Sequence, residues 1–242
     1  PGVPDDTCEY CRTGRYNICP GVDFMATQPN YKGALTQYMT HPEEWTYHIP
    51  EGMTTMEGAL VEPAAVGMHA AVLGGAQPGK SIVILGGGTI GLMVLQACIS
   101  LGATDITVVD VIEKRLELAK KLGAARVING KEEDTVAVLR SEEMYGDHGV
   151  DLVFEAAGAV FTAQQAVQIV SRGGKIMMVG TQSKPVPIDF LKINREVTIQ
   201  TSFRYCNNFP QTIEAISSGR FNVKDMVTNI YDYEDVQKAF EE

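Results

Sequence analysis

The chain is predicted to be an α/β protein built on a doubly wound parallel sheet. Three observations predict it. Six short apolar runs lie between residues 81 and 201, helical patterns fill the gaps between them, and a glycine-rich turn joins the first run to a long apolar helix. Alternating strand and helix favours a parallel sheet with both faces covered, because parallel neighbours need a crossover that lies over the sheet. The chain has 242 residues, 45% apolar and 21% charged, which suffices for a substantial core.

In chain order, residues 1–62 are irregular and rich in Gly, Pro, Asp and Asn, with a short strand-like run at Trp45–Ile49. The expected strands are Ser81–Leu85, Ile106–Asp110, Arg126–Ile128, Asp151–Glu155, Lys175–Val179 and Val197–Thr201. Helices are expected over Gly91–Leu101 and Lys114–Leu122; the latter puts Leu118 and Leu122 on one face and stops at Gly123. The last stretch reads as a helix (Phe209–Ser217), a short strand and the start of another helix. That helix runs to Glu241-Glu242 without a cap, so the chain reads as a piece of something longer. No internal repeat or low-complexity tract is present.

Twenty basic against thirty acidic residues give a net charge of −10. Phosphate-coating surfaces and anionic-membrane anchors need Lys and Arg, so neither a nucleic-acid nor a membrane partner is expected. No apolar run reaches the roughly 18 residues of a membrane span, and no secretory pattern opens the chain. Five cysteines, three of them within Cys8–Cys19, suggest a metal cluster in a reducing, cytoplasmic compartment rather than a disulfide framework.

The run Ser81–Leu85 leads directly into Gly86-Gly87-Gly88-Thr89-Ile90-Gly91 and then a helix. This is G-x-G-x-x-G between strand and helix, the Rossmann-type dinucleotide pattern. Gly86 permits the turn, Gly88 lets backbone approach a pyrophosphate, and Gly91 lets helix and strand pack closely. The helix tip, with Thr89 and Ile90, offers unpaired N–H groups to phosphate. Asp110 ends the second strand 19 residues after Gly91, placed to accept from adenosine ribose hydroxyls. A 2′-phosphate there would meet like charge, and Val111 and Ile112 supply no cation, so NAD is favoured over NADP. Arg115 completes the expected cofactor-binding set. The bland alternative is a glycine-rich turn with a capping Asp and no ligand.

Cys8, Cys11 and Cys19 follow the spacing C-x2-C-x7-C. Thiolates suit zinc, a structural site is four-coordinate, and Asp5 could close the tetrahedron. One carboxylate among three thiolates would retain zinc less tightly than four thiolates; the alternative is a loop that holds no metal. Cys98 on the apolar helix reads as a core thiol. Cys206 lacks a nearby His and reads as packing.

Together these residues resemble the zinc-containing medium-chain dehydrogenase/reductase family, within it most the polyol (sorbitol, xylitol, L-iditol) dehydrogenases. The resemblance rests on the Pro1–Pro4 segment with the cysteine cluster, Gly14–Asn17, Gly58–Pro63, Val66–Ala70, the glycine fingerprint with Asp110, and Phe203-Arg204-Tyr205-Cys206-Asn207. It spans essentially the whole chain. It implies a GroES-like, mainly β catalytic domain, here partial, from residues 1–63 and 204–242, flanking a Rossmann domain at 64–203. It also implies a zinc- and NAD-dependent oxidation of a polyol or secondary alcohol to a ketose. Zinc would act there as a Lewis acid.

The family's catalytic-zinc Cys and His-Glu pair are expected upstream of Pro1, and Asp5 stands where a structural-zinc Cys is usual. Dinucleotide binding with little or no turnover is therefore expected of this chain. The resemblance assigns Glu62 to the catalytic zinc, as ligand or through bound water. Alone, a Glu-Pro pair would read as a capping carboxylate before a helix opened by Pro63. Arg204 and Tyr205 resemble polyol-site residues, with Arg204 either bonding a substrate hydroxyl or orienting Glu62; an interdomain salt bridge is the alternative. Phe24 and Thr27 match substrate-pocket positions. His69 reads as a packed helix histidine, and Met53 and Met56 as packing residues. A dimer or tetramer is expected from the family. A threonine or 2,3-butanediol dehydrogenase, or a non-catalytic NAD-binding module, are the competing readings.

Overall fold

In a computed structural model that describes residues 2–26 and 33–241, the chain runs through fourteen α and β elements. They are α1 (Glu9–Arg12), α2 (Thr55–Gly74), β1 (Ser81–Leu85), α3 (Thr89–Ser100), β2 (Asp105–Asp110), α4 (Glu113–Lys121) and β3 (Arg126–Asn129). Next come α5 (Thr135–Leu139), β4 (Val150–Glu155), α6 (Val160–Ile169), β5 (Val170–Met178), β6 (Thr198–Thr201), α7 (Phe209–Ser217) and α8 (Val236–Glu241). The strands form one six-stranded sheet in the order β3-β2-β1-β4-β5-β6, every pairing parallel. The expected doubly wound parallel sheet is the observed one. The chain winds outward from β1 to β3, then crosses back to β4 and winds the other way. The reversal leaves a crevice between the carboxyl ends of β1 and β4.

Both faces are buried, as the near-continuous apolar strands require. Ile82 and Ile84 of β1 point into one core cluster with Met68 of α2, Leu95 of α3 and Phe209 of α7. Val83 and Leu85 point into the other, with Leu139 of α5 and Ile169 of α6. Phe154 in β4 is fully buried; truncating such a side chain to Ala costs about 3–5 kcal/mol through lost burial and the cavity left behind.

The structure corrects several sequence expectations. Helix α2 begins eight residues before Pro63, which lies inside it. Its start is a capping box: the Thr54 hydroxyl accepts the Glu57 N–H, and the Glu57 carboxylate accepts the Thr54 N–H at 2.9 Å and O–H at 2.7 Å. The expected boundary at 63/64 therefore falls within a continuous helix. β5 starts at Val170, five residues earlier than expected, because Gly173-Gly174 masks its first half in sequence. Trp45–Ile49 is not a strand: Glu43–Trp45 is a 3-10 turn and the following residues have no partner strand among the described residues. No strand forms between α7 and α8 either. Among the described residues outside the sheet, the β pairing is the isolated Val3–Asp23 bridge. Met53 packs on the core as expected, but Met56 is 41% exposed. No helix among the described residues is long and apolar enough to cross a membrane.

Candidate functional site

The crevice is built by the turn between β1 and α3. Gly86 sits at φ 107°, a conformation that penalises any Cβ, and a Cβ on Gly91 would collide with the Gly86 carbonyl oxygen. Gly88 is the N-cap of α3 and no side chain caps that helix, so the first-turn N–H groups around Thr89 and Ile90 remain available to an anion.

Asp110, at the end of the neighbouring strand, is buried and ties this turn to the next loop. Its Oδ2 accepts the Gly87 N–H at 2.7 Å; its Oδ1 accepts the N–H groups of Val111 at 2.8 Å and Ile112 at 2.9 Å. The Arg115 guanidinium lies 3.5 Å from Oδ2 and is half exposed, a loose pair worth under about 1 kcal/mol. Gly86, Asp110 and Arg115 line a cavity of about 270 Å³ whose walls include Val111, Phe161 and Thr162. A fixed carboxylate, a nearby uncapped helix tip and apolar walls fit the sugar, phosphate and base of a dinucleotide. Of the cofactor residues expected from sequence, Gly86, Asp110 and Arg115 line this cavity, and Gly88, Thr89, Ile90 and Gly91 form the turn and helix tip that follow Gly86.

The cysteine loop converges as well. The candidate ligand atoms of Asp5, Cys8, Cys11 and Cys19 all lie within 4.8 Å of one another. Cys8 caps α1, its sulfur accepting the Cys11 N–H, which draws the Cys8 thiol below its ordinary range. The sulfurs of Cys8 and Cys11 are 3.4 Å apart. Asp5 accepts the N–H groups of Thr7 at 2.8 Å and Cys8 at 3.0 Å; the Cys8 bond first, then the Thr7 bond, pulls its carboxyl down to about 2. All five cysteines are free. Three sulfurs and one carboxylate at these separations fit a four-coordinate zinc.

A third group lies where the Phe203–Asn207 run meets the amino-terminal loops. Arg204 (φ 52°) and Asn207 (φ 58°) are left-handed and turn the run toward Gly14–Asn17. The Asn207 side chain donates to the Gly14 carbonyl at 2.8 Å, its N–H donates to the Tyr16 hydroxyl at 2.7 Å, and Asn17 donates to the Phe203 carbonyl at 2.9 Å. The Arg204 guanidinium stacks 3.8 Å over the Phe24 ring and 4.8 Å over Phe203. Tyr205 is buried, its ring 4.9 Å from Phe209 and 6.3 Å from Phe24. Burial first, and then the neighbouring Glu62 carboxylate, push the Tyr205 hydroxyl well above its usual range.

Phe24, Glu62, Arg204 and Tyr205 are therefore brought together. No ion pair joins Arg204 to Glu62 among the described residues. Glu62 is exposed on α2 and belongs to no cluster of three metal-capable side chains among the described residues. Thr27 lies outside the described residues. Cys98 is a buried core thiol, raised by desolvation, and Cys206 donates to the Gly14 carbonyl at 3.0 Å.

Sequence reasoning missed Glu155, which ends β4 fully buried at the crevice, together with its partners Thr162 and Gln182. The signal was present: an apolar strand ending in an acid and followed by Ala156-Ala157-Gly158 repeats the logic applied to Asp110. The capping signal Thr54-x-x-Glu57 was equally legible.

The zinc-binding dehydrogenase family model matches residues 89–218. A sorbitol dehydrogenase of Bacillus subtilis (strain 168) is 41% identical over 244 residues, covering 100% of this chain and 68% of that protein. The crystal structure of an oxidoreductase/dehydrogenase of unknown specificity from Escherichia coli superposes with a TM-score of 0.97 at 65% identity, over 100% of this chain and 69% of that one. A Sinorhizobium meliloti 1021 structure bound to NADP gives 0.93 at 25% identity, over 100% and 71%. The chain is an oxidoreductase of the zinc-binding dehydrogenase family. The expected cofactor classes, zinc and a nicotinamide dinucleotide, agree with the family's description and with that NADP-bound neighbour.

Proposed function

We propose that the protein transfers hydride between NAD and a secondary alcohol of a polyol, of sorbitol or xylitol type, giving a ketose. The observation that carries this reading is Asp110, buried and bonded at 2.7 Å to the Gly87 N–H beside an uncapped α3. In this reading Asp110 accepts from the adenosine ribose hydroxyls, the α3 tip binds the pyrophosphate, and Arg115 flanks the adenosine. The bound dinucleotide supplies the hydride acceptor, and the protein supplies position and electrostatics. At the substrate end, Phe24 and Tyr205 wall the site, Arg204 stacked on Phe24 offers donors to a hydroxyl, and Glu62 places a carboxylate beside Tyr205. Asp5, Cys8, Cys11 and Cys19 hold a structural zinc that braces the loop on which the Phe203–Asn207 run rests. The similarity to a sorbitol dehydrogenase supports the polyol class.

Calorimetric titration tests the cofactor half: NADH binds, and NADPH binds at least about tenfold more weakly, the ratio worth about 1.4 kcal/mol of charge repulsion at Asp110. Equal affinities remove the discrimination argument, and no binding removes the reading. NADH formation from sorbitol, xylitol, threonine and 2,3-butanediol, measured on the protein at its natural length, tests the substrate half. Preference for threonine or butanediol overturns the polyol assignment.

A further inference from the structure

Glu155 is a fully buried carboxylate, a costly group to keep out of water unless every lone pair is used. Its bonds run to two separate loops. Oε1 accepts the N–H groups of Ala157 at 3.1 Å and Gly158 at 2.9 Å, and the Thr162 hydroxyl at 2.7 Å. Oε2 accepts from the Gln182 amide at 2.7 Å. Ala157 and Gly158 follow β4; Gln182 follows β5.

The two loops are pressed together without room for side chains between them. A Cβ on Gly158 would sit 2.7 Å from the Thr181 carbonyl oxygen; one on Gly180 would collide with the Gly158 N–H and lie 2.9 Å from Glu155 Oε2. The first loop also abuts the phosphate turn, since a Cβ on Gly86 would lie 2.8 Å from the Ala157 nitrogen.

Given the cofactor reading above, on which this inference rests, the topology says what these loops face. The adenosine half sits at β2, by Asp110, and the pyrophosphate sits over the β1–α3 turn. The strand order then puts the rest of the dinucleotide past β1, over the carboxyl ends of β4 and β5. We infer that Glu155 is a positioning residue for the nicotinamide half: it clamps the β4 and β5 loops into one floor on which the nicotinamide riboside rests.

The test compares NADH with ADP-ribose, which lacks the nicotinamide, by calorimetric titration of the chain. Glu155→Ala is expected to weaken NADH about tenfold or more and ADP-ribose by a clearly smaller factor, about threefold, since Ala157 and Thr162 also line the Asp110 cavity while Gln182 does not. Glu155→Gln is expected to restore NADH binding to within about threefold of the parent. Among the described residues the Gln182 Oε1 is buried without a partner, so a flipped Gln182 amide can accept from the new amide while the oxygen of the new side chain keeps the other three donors. Should Glu155→Ala not fold, Gln182→Ala carries the test, with an expected loss of about threefold to fivefold for NADH alone. Parallel losses for both ligands, or none for either, overturn the inference. So does a parent chain that gains nothing from the nicotinamide. A parent chain that binds neither ligand overturns the cofactor reading itself, which is a different result.

Discussion

The cofactor crevice and the cysteine loop reach comparable convergence of polar groups by opposite means. In the crevice, Asp110 and Glu155 terminate buried strands, and most of their hydrogen bonds come from backbone N–H groups whose places are set by the sheet. In the cysteine loop, α1 has four residues and none buried, β pairing is limited to the Val3–Asp23 bridge, and the four candidate ligands converge through local turns. The first region carries its geometry in secondary structure and a large core. The second has little core to draw on, the circumstance in which metal binding contributes directly to folding. Changes in the crevice are therefore expected to act on ligand affinity through backbone geometry, and changes in the loop to act on metal retention.

The largest effect is expected from Gly91→Ala. Its Cβ meets the Gly86 carbonyl oxygen, backbone that no rotamer can move aside. The resulting shift should cost about 3 kcal/mol, or about a hundredfold in NADH affinity if it falls on the phosphate turn. Fluorescence titration and denaturant melts read the two consequences, and an Ala variant with parental affinity would break the backbone half of the comparison.

Asp110→Ala comes next. It leaves the Gly87, Val111 and Ile112 N–H groups without their acceptor, which costs about 1–3 kcal/mol. NADH binding should fall about tenfold to a hundredfold, with NADPH affected less because the like charge is gone. Unchanged NADH affinity would take Asp110 out of the ribose site.

Asp5→Cys sharpens the other half. Replacing the hard carboxylate by a thiolate should raise zinc retention about tenfold in chelator competition, while NADH affinity stays put. A change in NADH affinity of similar size would show that the two regions are not independent.

The smallest effect belongs to the α2 cap. Thr54→Ala removes a helix cap worth about 1 kcal/mol. Glu57 is held below the ordinary carboxylate range by the Thr54 hydroxyl first, then the Thr54 N–H, with Lys224 adding to it. A depressed carboxyl stabilises the fold above its unfolded pKa, about 4.3, and that stabilisation fades as pH falls through the lower folded value. Denaturant midpoints of the Thr54→Ala variant should therefore show a shallower loss below about pH 4.3 than the parent. Parallel acid limbs would mean that Glu57 draws its shift from elsewhere.

Much of the crevice was legible because its rules are local. The strand ending at Leu85, the glycines at 86, 88 and 91, and an acid closing the next strand are written consecutively, and each maps to one backbone requirement. The cluster of Cys8, Cys11 and Cys19 with Asp5 was legible for the same reason. Glu62 was harder: its helix starts at a capping box eight residues upstream, so Pro63 marks no boundary, and its neighbour Tyr205 is 143 positions away. The Trp45–Ile49 run alternates like a strand, yet a strand exists only where another lies beside it. Arg204 was expected to reach a hydroxyl or Glu62; the structure stacks it on Phe24, with no ion pair to Glu62 among the described residues, through a left-handed turn that composition does not reveal.

By itself the amino-acid order determined the α/β layering, the six strands, the glycine turn after β1 and the clustering of Asp5, Cys8, Cys11 and Cys19, because periodicity and short spacings set backbone conformation within a few residues. Only the tertiary structure decided that Glu155 ties the loop after β4 to Gln182, 27 residues further along the chain, that Arg204 lies on an aromatic ring, and that Glu62 stands beside Tyr205. Those relations depend on which segments the sheet and the helix packing bring side by side, a long-range outcome that no local pattern encodes.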